Sequence, residues 1–167
     1  MEIKNQKVIS FGENLGEVFS LSFFTEYYQF YILDSETKST TDDANFWNET
    51  AGENRLAAVD GLLGVTVGKY AEIKVNVSVL EQKPVQLADA EHIVETSLQV
   101  PSGVLRVKCC TNYETQLELN LEKGCYKVRI SSFKLSTIVS DAGDDYYVVE
   151  IWKSRQAKTK VLKKYKL

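Results

Sequence analysis

Three carboxylates, Asp141, Asp144 and Asp145, stand within the stretch DAGDDYYVVEIW (141–152), directly ahead of a run of aromatic and β-branched residues. Acids crowded into a loop can gather a cation, since calcium takes about six to eight oxygens from carboxylates and carbonyls. They can equally face a basic partner or shape a turn, because Asp bonds its own backbone and Gly takes a positive φ. The spacing lacks the D-x-D-x-D alternation that aims successive carboxylates at one point. A turn with an acidic rim is therefore favoured, and no metal ligand set is assigned.

His92 is the one histidine. Histidine is the usual general base near neutral pH, so a solitary one is worth weighing. Its surroundings, AEHIVE, hold no HxH, HExxH or nucleophile pattern, and no GxSxG occurs in the chain. GLLG and GENLG carry glycines without the Lys-Ser/Thr step of a phosphate loop. Cys109, Cys110 and Cys125 have neither zinc spacing nor a CxxC pair, so reduced cysteines within strands are expected. No catalytic residue and no cofactor follow from these patterns. The aromatics Phe46, Trp47, Tyr146, Tyr147 and Trp152 allow a sugar or ligand groove. Tyr147, Val149 and Ile151 share one strand face and Tyr146, Val148 and Trp152 the other, so one set is core; if the sheet is covered on both faces, both sets are, and Trp47 becomes the more distinctive exposed candidate. A tryptophan that pins its loop onto the core is the commoner use of that side chain.

Charge is segregated along the chain. All 23 acidic residues precede residue 153, against 13 of the 20 Lys and Arg, so that the body carries about −10. The segment 153–167 is the reverse, with seven bases and no acid. An acidic body disfavours nucleic acid and suits a basic protein, whose approach it would steer. No apolar run approaches the roughly 18 residues of a membrane span, and MEIKNQKVISFGEN is no secretory signal, so a cytoplasmic location is expected.

The elements that must position these residues read mostly as strands, because period-two alternation recurs. VFSLSFF (18–24) and YYQFYILD (27–34) come first. In GLLGVTVG, Leu63, Val65 and Val67 share a face, and in AEIKVNVSV the residues Ala71, Ile73, Val75, Val77 and Val79 do so, which reads as a hairpin. HIVETSLQV and VLRVKCC flank a Pro-Ser-Gly turn. LELNLEKGCYKVRI reads as the clearest hairpin, with Glu118, Asn120 and Glu122 facing Lys127 and Arg129 across it. The polar connection 35–60 has room for a short helix capped by Asp42 or Asp43. The tail has too few apolar residues for a core of its own, and Val161, Leu162, Tyr165 and Leu167 can dock it as a final strand or helical turn. An all-β fold is expected: an antiparallel sandwich or open barrel of about eight or nine strands, with one long loop carrying a short helix. Residues 1–152 are read as a single domain and 153–167 as a basic tail.

YYQFYILD, then a polar loop with Trp47, then AAVDG (57–61) opening an apolar strand, resembles the start of the competence protein J family. LNLEKGCYKVRI and DDYYVVEIW are similar to that family's strand-KG-strand element and its terminal D-x-Y strand. The likeness spans roughly residues 18–152, and the basic tail departs from it. The second half also resembles a wider set of bacterial β proteins with a V-P-S-G turn and a G-x-Y-x-V-R strand. The resemblance implies a β-sandwich without catalysis whose known member inhibits a nuclease of DNA uptake, so an inhibitor or immunity-type partner of a nuclease or toxin is expected. The residues assigned to partner binding are Asp42, Asp43, Trp47, Glu49 and Asp60, with Asp144 and Asp145 as a second acidic lobe. The alternative is a ligand-binding sandwich, calcium-dependent or carbohydrate-binding.

Overall fold

The alternating stretches become strands, and short apolar runs at the margins add more. The computed structural model describes residues 6–8 and 15–166, and these form twelve strands and one α-helix where about eight or nine strands were expected. One sheet runs β1 (Gln6–Val8), β9 (Thr115–Asn120), β8 (Val104–Cys109), β3 (Gln29–Asp34), β5 (Leu62–Thr66) and β4 (Leu56–Val59), in that order. The other runs β12 (Lys160–Lys163), β7 (His92–Val100), β10 (Gly124–Phe133), β11 (Tyr146–Lys153), β6 (Glu72–Leu80) and β2 (Val18–Phe24). Pairing is antiparallel except for β1 with β9 and β6 with β11, which are parallel. The expected all-β, largely antiparallel architecture is present, with these two parallel pairs within it.

The faces read from alternation are the faces observed. Phe19, Leu21, Phe23, Ile73, Val75, Val77, Val79, Tyr147, Val149 and Ile151 point inward from the second sheet. They meet Phe30, Ile32, Leu63, Val65, Leu105, Val107, Leu117 and Leu119 of the first. Burying a side chain of this kind is worth about 1.5–3 kcal/mol, and this shared core drives the two layers together.

The hairpins are a different matter. β5 and β6 lie in opposite sheets, as do β9 and β10, and β7 and β8 across the Pro-Ser-Gly turn. Both expected hairpins are therefore crossings of the core. The charges re-pair accordingly: Arg106 Nε on β8 donates to Glu118 at 2.7 Å, while Arg129 Nε donates to Glu95 on β7 at 3.1 Å. Glu122 meets Lys153 at 2.6 Å. A true hairpin joins β4 and β5, turning at Asp60-Gly61, where Gly61 has φ +70.

Part of each outer face is covered. Residues 35–55, with α1 (Glu49–Asn54), lie over the first sheet, where Phe46 and Ala51 pack on Tyr31, Leu33, Ala57 and Leu62. Gly64 makes this possible, because a Cβ there would stand 2.7 Å from Trp47 and 2.8 Å from Phe46. The helix is capped by Asn48, whose side chain accepts from Ala51 N at 2.8 Å, and not by Asp42 or Asp43. Over the second sheet, Leu87, Ala90 and Leu162 cover Ile93, Phe133, Tyr146 and Val148. The tail thus docks as β12 against β7, with Val161 and Tyr165 packed on the main core; Leu167 lies outside the described residues.

Candidate functional site

The chain crosses between sheets twice at one end of the molecule, at Thr25–Tyr28 and at Val67–Ala71, and hydrogen bonds tie the two crossings together. Thr25 N donates to Ala71 O at 2.8 Å, and Thr25 Oγ1 lies 3.0 Å from Lys69 O and 2.9 Å from Ala71 O. Val67 N donates to Tyr28 O at 2.9 Å. Tyr27 and Tyr28 both take left-handed backbone, with φ 55 and φ 60. Such conformations cost about 1–3 kcal/mol each for residues other than glycine and persist only where the surroundings enforce them.

Beneath these crossings lies a buried polar knot. Lys69 Nζ sits 3.1 Å from Asp145 Oδ1 and donates to Gly143 O at 2.7 Å. Tyr147 Oη donates to Asp145 Oδ2 at 2.7 Å and accepts from Gly68 N at 2.8 Å. Burial, and then the hydrogen bond to Asp145, push the Tyr147 hydroxyl far above the ordinary tyrosine pKa, so it stays a donor. Above the knot four aromatic rings stand in solvent: Phe24, Tyr27, Tyr28 and Tyr70. Tyr70 touches the other three edge to face, at centroid distances of 5.3, 6.1 and 6.0 Å. Asp141 Oδ1 accepts from Tyr70 N at 2.9 Å and from Tyr28 Oη at 3.4 Å, fixing the loop of acids against the rings.

The residues assigned from sequence fall in two places. Asp42, Asp43 and Glu49 are exposed over the first sheet, with Asp43 Oδ1 closing a turn on Asn45 N. Trp47 is half-buried against Phe46, ring centroids 5.1 Å apart, and pins the loop down. Asp60 is exposed in the β4–β5 turn, and its carbonyl accepts from Thr37 Oγ1 and Ser39 Oγ. Asp144 is exposed near the tyrosines and lines, with Lys69, Lys74 and Lys134, an open groove of about 860 Å³. Asp145 corrects the assignment: it is buried and committed to Lys69 and Tyr147, so it cannot face a partner. Asp60 sits at the Asp34 end of β3, where Asp34 N donates to Gly61 O, and the tyrosines sit at the Gln29 end. A strand of that length spans about 17–20 Å, so the two acidic lobes do not converge.

Sequence reading missed Phe24, Tyr27, Tyr28, Tyr70, Glu26 and Asp141 as a group. The run YYQFYILD predicts a strand through Tyr27 and Tyr28; the signal against it is the polar Thr-Glu pair that interrupts the alternation just before them.

His92 has both ring nitrogens in use. Tyr165 N donates to Nδ1 at 3.1 Å, so the proton sits on Nε2 and is donated to Asn54 O at 2.8 Å. It is a clasp between the tail and the end of α1 rather than a base. Burial pulls its pKa below the ordinary 6.5, with Arg55 and Lys164 acting in the same direction. The folded state therefore prefers neutral histidine, and stability held above pH 6.5 falls as the pH drops below it. Each unit of depression is worth about 1.4 kcal/mol. Thermal melts at pH 7.5 and 5.5 check this: the parent loses stability over that interval, and His92→Gln removes most of the slope. Equal slopes in the two proteins would refute the clasp.

Neither a protein-family model nor a curated protein sequence matches the chain. Among solved structures, the crystal structure of ComJ from Bacillus subtilis, inhibitor of the DNA degrading activity of NucA, matches with TM-score 0.64 at 17% identity, covering 81% of this chain and 95% of that one. The crocagin biosynthetic gene J product matches with TM-score 0.56 at 17% identity, covering 83% and 98%. The chain thus has the competence protein J fold that its Trp47 and Asp60-Gly61 spacing resembled, and its basic tail docks on one sheet edge as β12.

Proposed function

We propose that this chain is a non-enzymatic binding module for a basic protein, and that it acts as an inhibitor of a DNA-degrading nuclease. The observation that carries the reading is the group of four exposed aromatic rings at one end of an acidic body. Clustered tyrosines with a charged rim are the composition of binding hot spots, and surplus carboxylates match the basic groove in which a nuclease receives phosphates. The likeness to ComJ supports the direction of the proposal, since that protein inhibits NucA. Asp42, Asp43, Glu49 and Asp60 serve here as outlying charges that steer encounter.

DNA degradation by NucA and by a panel of other nucleases, with the chain added in rising amounts, tests the proposal. At least one nuclease is expected to be inhibited at near-equimolar ratio. The affinity falls with salt, chiefly through the association rate, and falls modestly in Asp42/Asp43→Asn. A panel left wholly untouched sinks the inhibitor reading; binding indifferent to salt sinks the electrostatic one.

A further inference from the structure

Four large aromatic side chains are exposed together: Phe24 at 45%, Tyr27 at 67%, Tyr28 at 45% and Tyr70 at 37%. Their placement is held by the fold. The left-handed turn at Tyr27 and Tyr28 is fixed by the bonds of Thr25 to Lys69 and Ala71, and Tyr70 is fixed through its N–H on Asp141. Phe24, Tyr27 and Tyr28 each contact only Tyr70 among the rings of the cluster, so each keeps at least one ring face uncovered by another ring. Burial first, then the carboxylate of Glu26, with Tyr27, Cys110 and Asp141 adding to it, raises the pKa of the Tyr70 hydroxyl. Lys69, beneath the rings, is buried and matched by Asp145, and the exposed Lys74 and Lys134 line the adjoining groove with Asp144. The chain's own basic tail cannot supply another, because β12 and β2 lie at opposite edges of the second sheet.

We propose that Phe24, Tyr27, Tyr28 and Tyr70, with Glu26 and Asp141, form a receiving platform for an arginine side chain presented by a basic partner protein. This deepens the preceding reading and rests on it. A guanidinium is planar and weakly hydrated, stacks on tyrosine faces, and can still donate in its own plane to a carboxylate. Lysine, a compact and strongly hydrated charge, uses a flat ring surface less well. A purely apolar occupant would strand the carboxylates and hydroxyls at the rim, and a phosphate would be repelled by them.

The platform is tested by titrating the isotope-labelled full chain with capped tri-arginine, tri-lysine, tri-leucine and tri-glutamate peptides, following backbone and aromatic resonances. Tri-arginine is expected to shift the signals of the four aromatic residues and to bind more tightly than tri-lysine, with no response to tri-glutamate. Tyr27→Ala and Asp141→Asn should each weaken it by about two- to thirty-fold, while Tyr27→Phe retains it. Unshifted amide spectra elsewhere confirm that the variants fold. Equal binding of tri-lysine with no loss in Tyr27→Ala, tighter binding of tri-leucine, or a concentration-dependent dimer that buries these rings would each overturn the proposal. The two readings fail separately. Inhibition of a nuclease retained in full by Tyr27→Ala, with no tri-arginine binding, removes the platform alone; tri-arginine bound at the tyrosines by a chain that inhibits no nuclease removes the inhibitor alone.

Discussion

An Asp145→Ala chain unfolds with about 3–5 kcal/mol less free energy than the parent, because the substitution leaves the Lys69 ammonium buried without its counter-charge. The Asp145 side chain is wholly buried and that of Lys69 is 10% exposed, so solvent does little to compensate. Tyr147 also loses the acceptor for its hydroxyl proton, 2.7 Å away. Urea denaturation at pH 7 measures the loss. The double variant Lys69→Met/Asp145→Leu removes both charges and should recover much of it, since apolar replacement of a buried pair is often neutral. A double-mutant cycle isolates the coupling. A loss below about 1 kcal/mol, the range of exposed ion pairs, would refute the buried character of the knot. The same variant loosens the Val67–Ala71 crossing that carries Tyr70, so its tri-arginine response should weaken as well.

Arg129→Met is the second large effect, again about 3–5 kcal/mol. Arg129 is fully buried in β10, on the face turned away from the main core. Its Nε donates to Glu95 at 3.1 Å, its Nη1 donates to Pro84 O at 3.0 Å, and its guanidinium lies 5.1 Å from the Trp152 ring centroid. Glu150 stands opposite it in the register of β11. Burial raises the pKa of Glu150 above the ordinary 4.5, and Arg129 opposes that rise. Removing the guanidinium therefore raises the Glu150 pKa further. A carboxyl whose folded pKa exceeds its unfolded one weakens the fold as the pH climbs from the unfolded value through the folded one. The deficit of Arg129→Met should accordingly be largest at pH 7 and shrink toward pH 4.5, which urea midpoints at the two pH values will register. A deficit that is small, or flat with pH, would show that Glu95 and Glu150 do not depend on this arginine.

Both predictions concern residues that sequence reading placed at the surface. Alternation predicts Arg129 as an outward charge on its strand, and the loop of acids predicts Asp145 as part of an acidic rim. Each does point away from the main core or into a loop, as its position in the alternation demands. What one strand's pattern cannot show is a second layer. The segment that brings Pro84, Leu87 and Ala90 over the second sheet turns an outer face into an interior. The crossing at Lys69 does the same for Asp145.

Composition and period-two alternation alone determined that this chain is all-β, which face of most strands meets the core, that the tail's few apolar residues could dock, and that charge divides at residue 153. Alternation reports only which side of a strand is apolar. It is the same whether the next strand lies beside the first or across the core from it, because both arrangements bury the same face. Hence β5 with β6 and β9 with β10 read as hairpins, and only the folded chain decided that they are crossings. The tyrosine platform has the same origin: Phe24, Tyr27 and Tyr28 are about forty residues from Tyr70 and more than a hundred from Asp141, and the paired crossings alone bring them together.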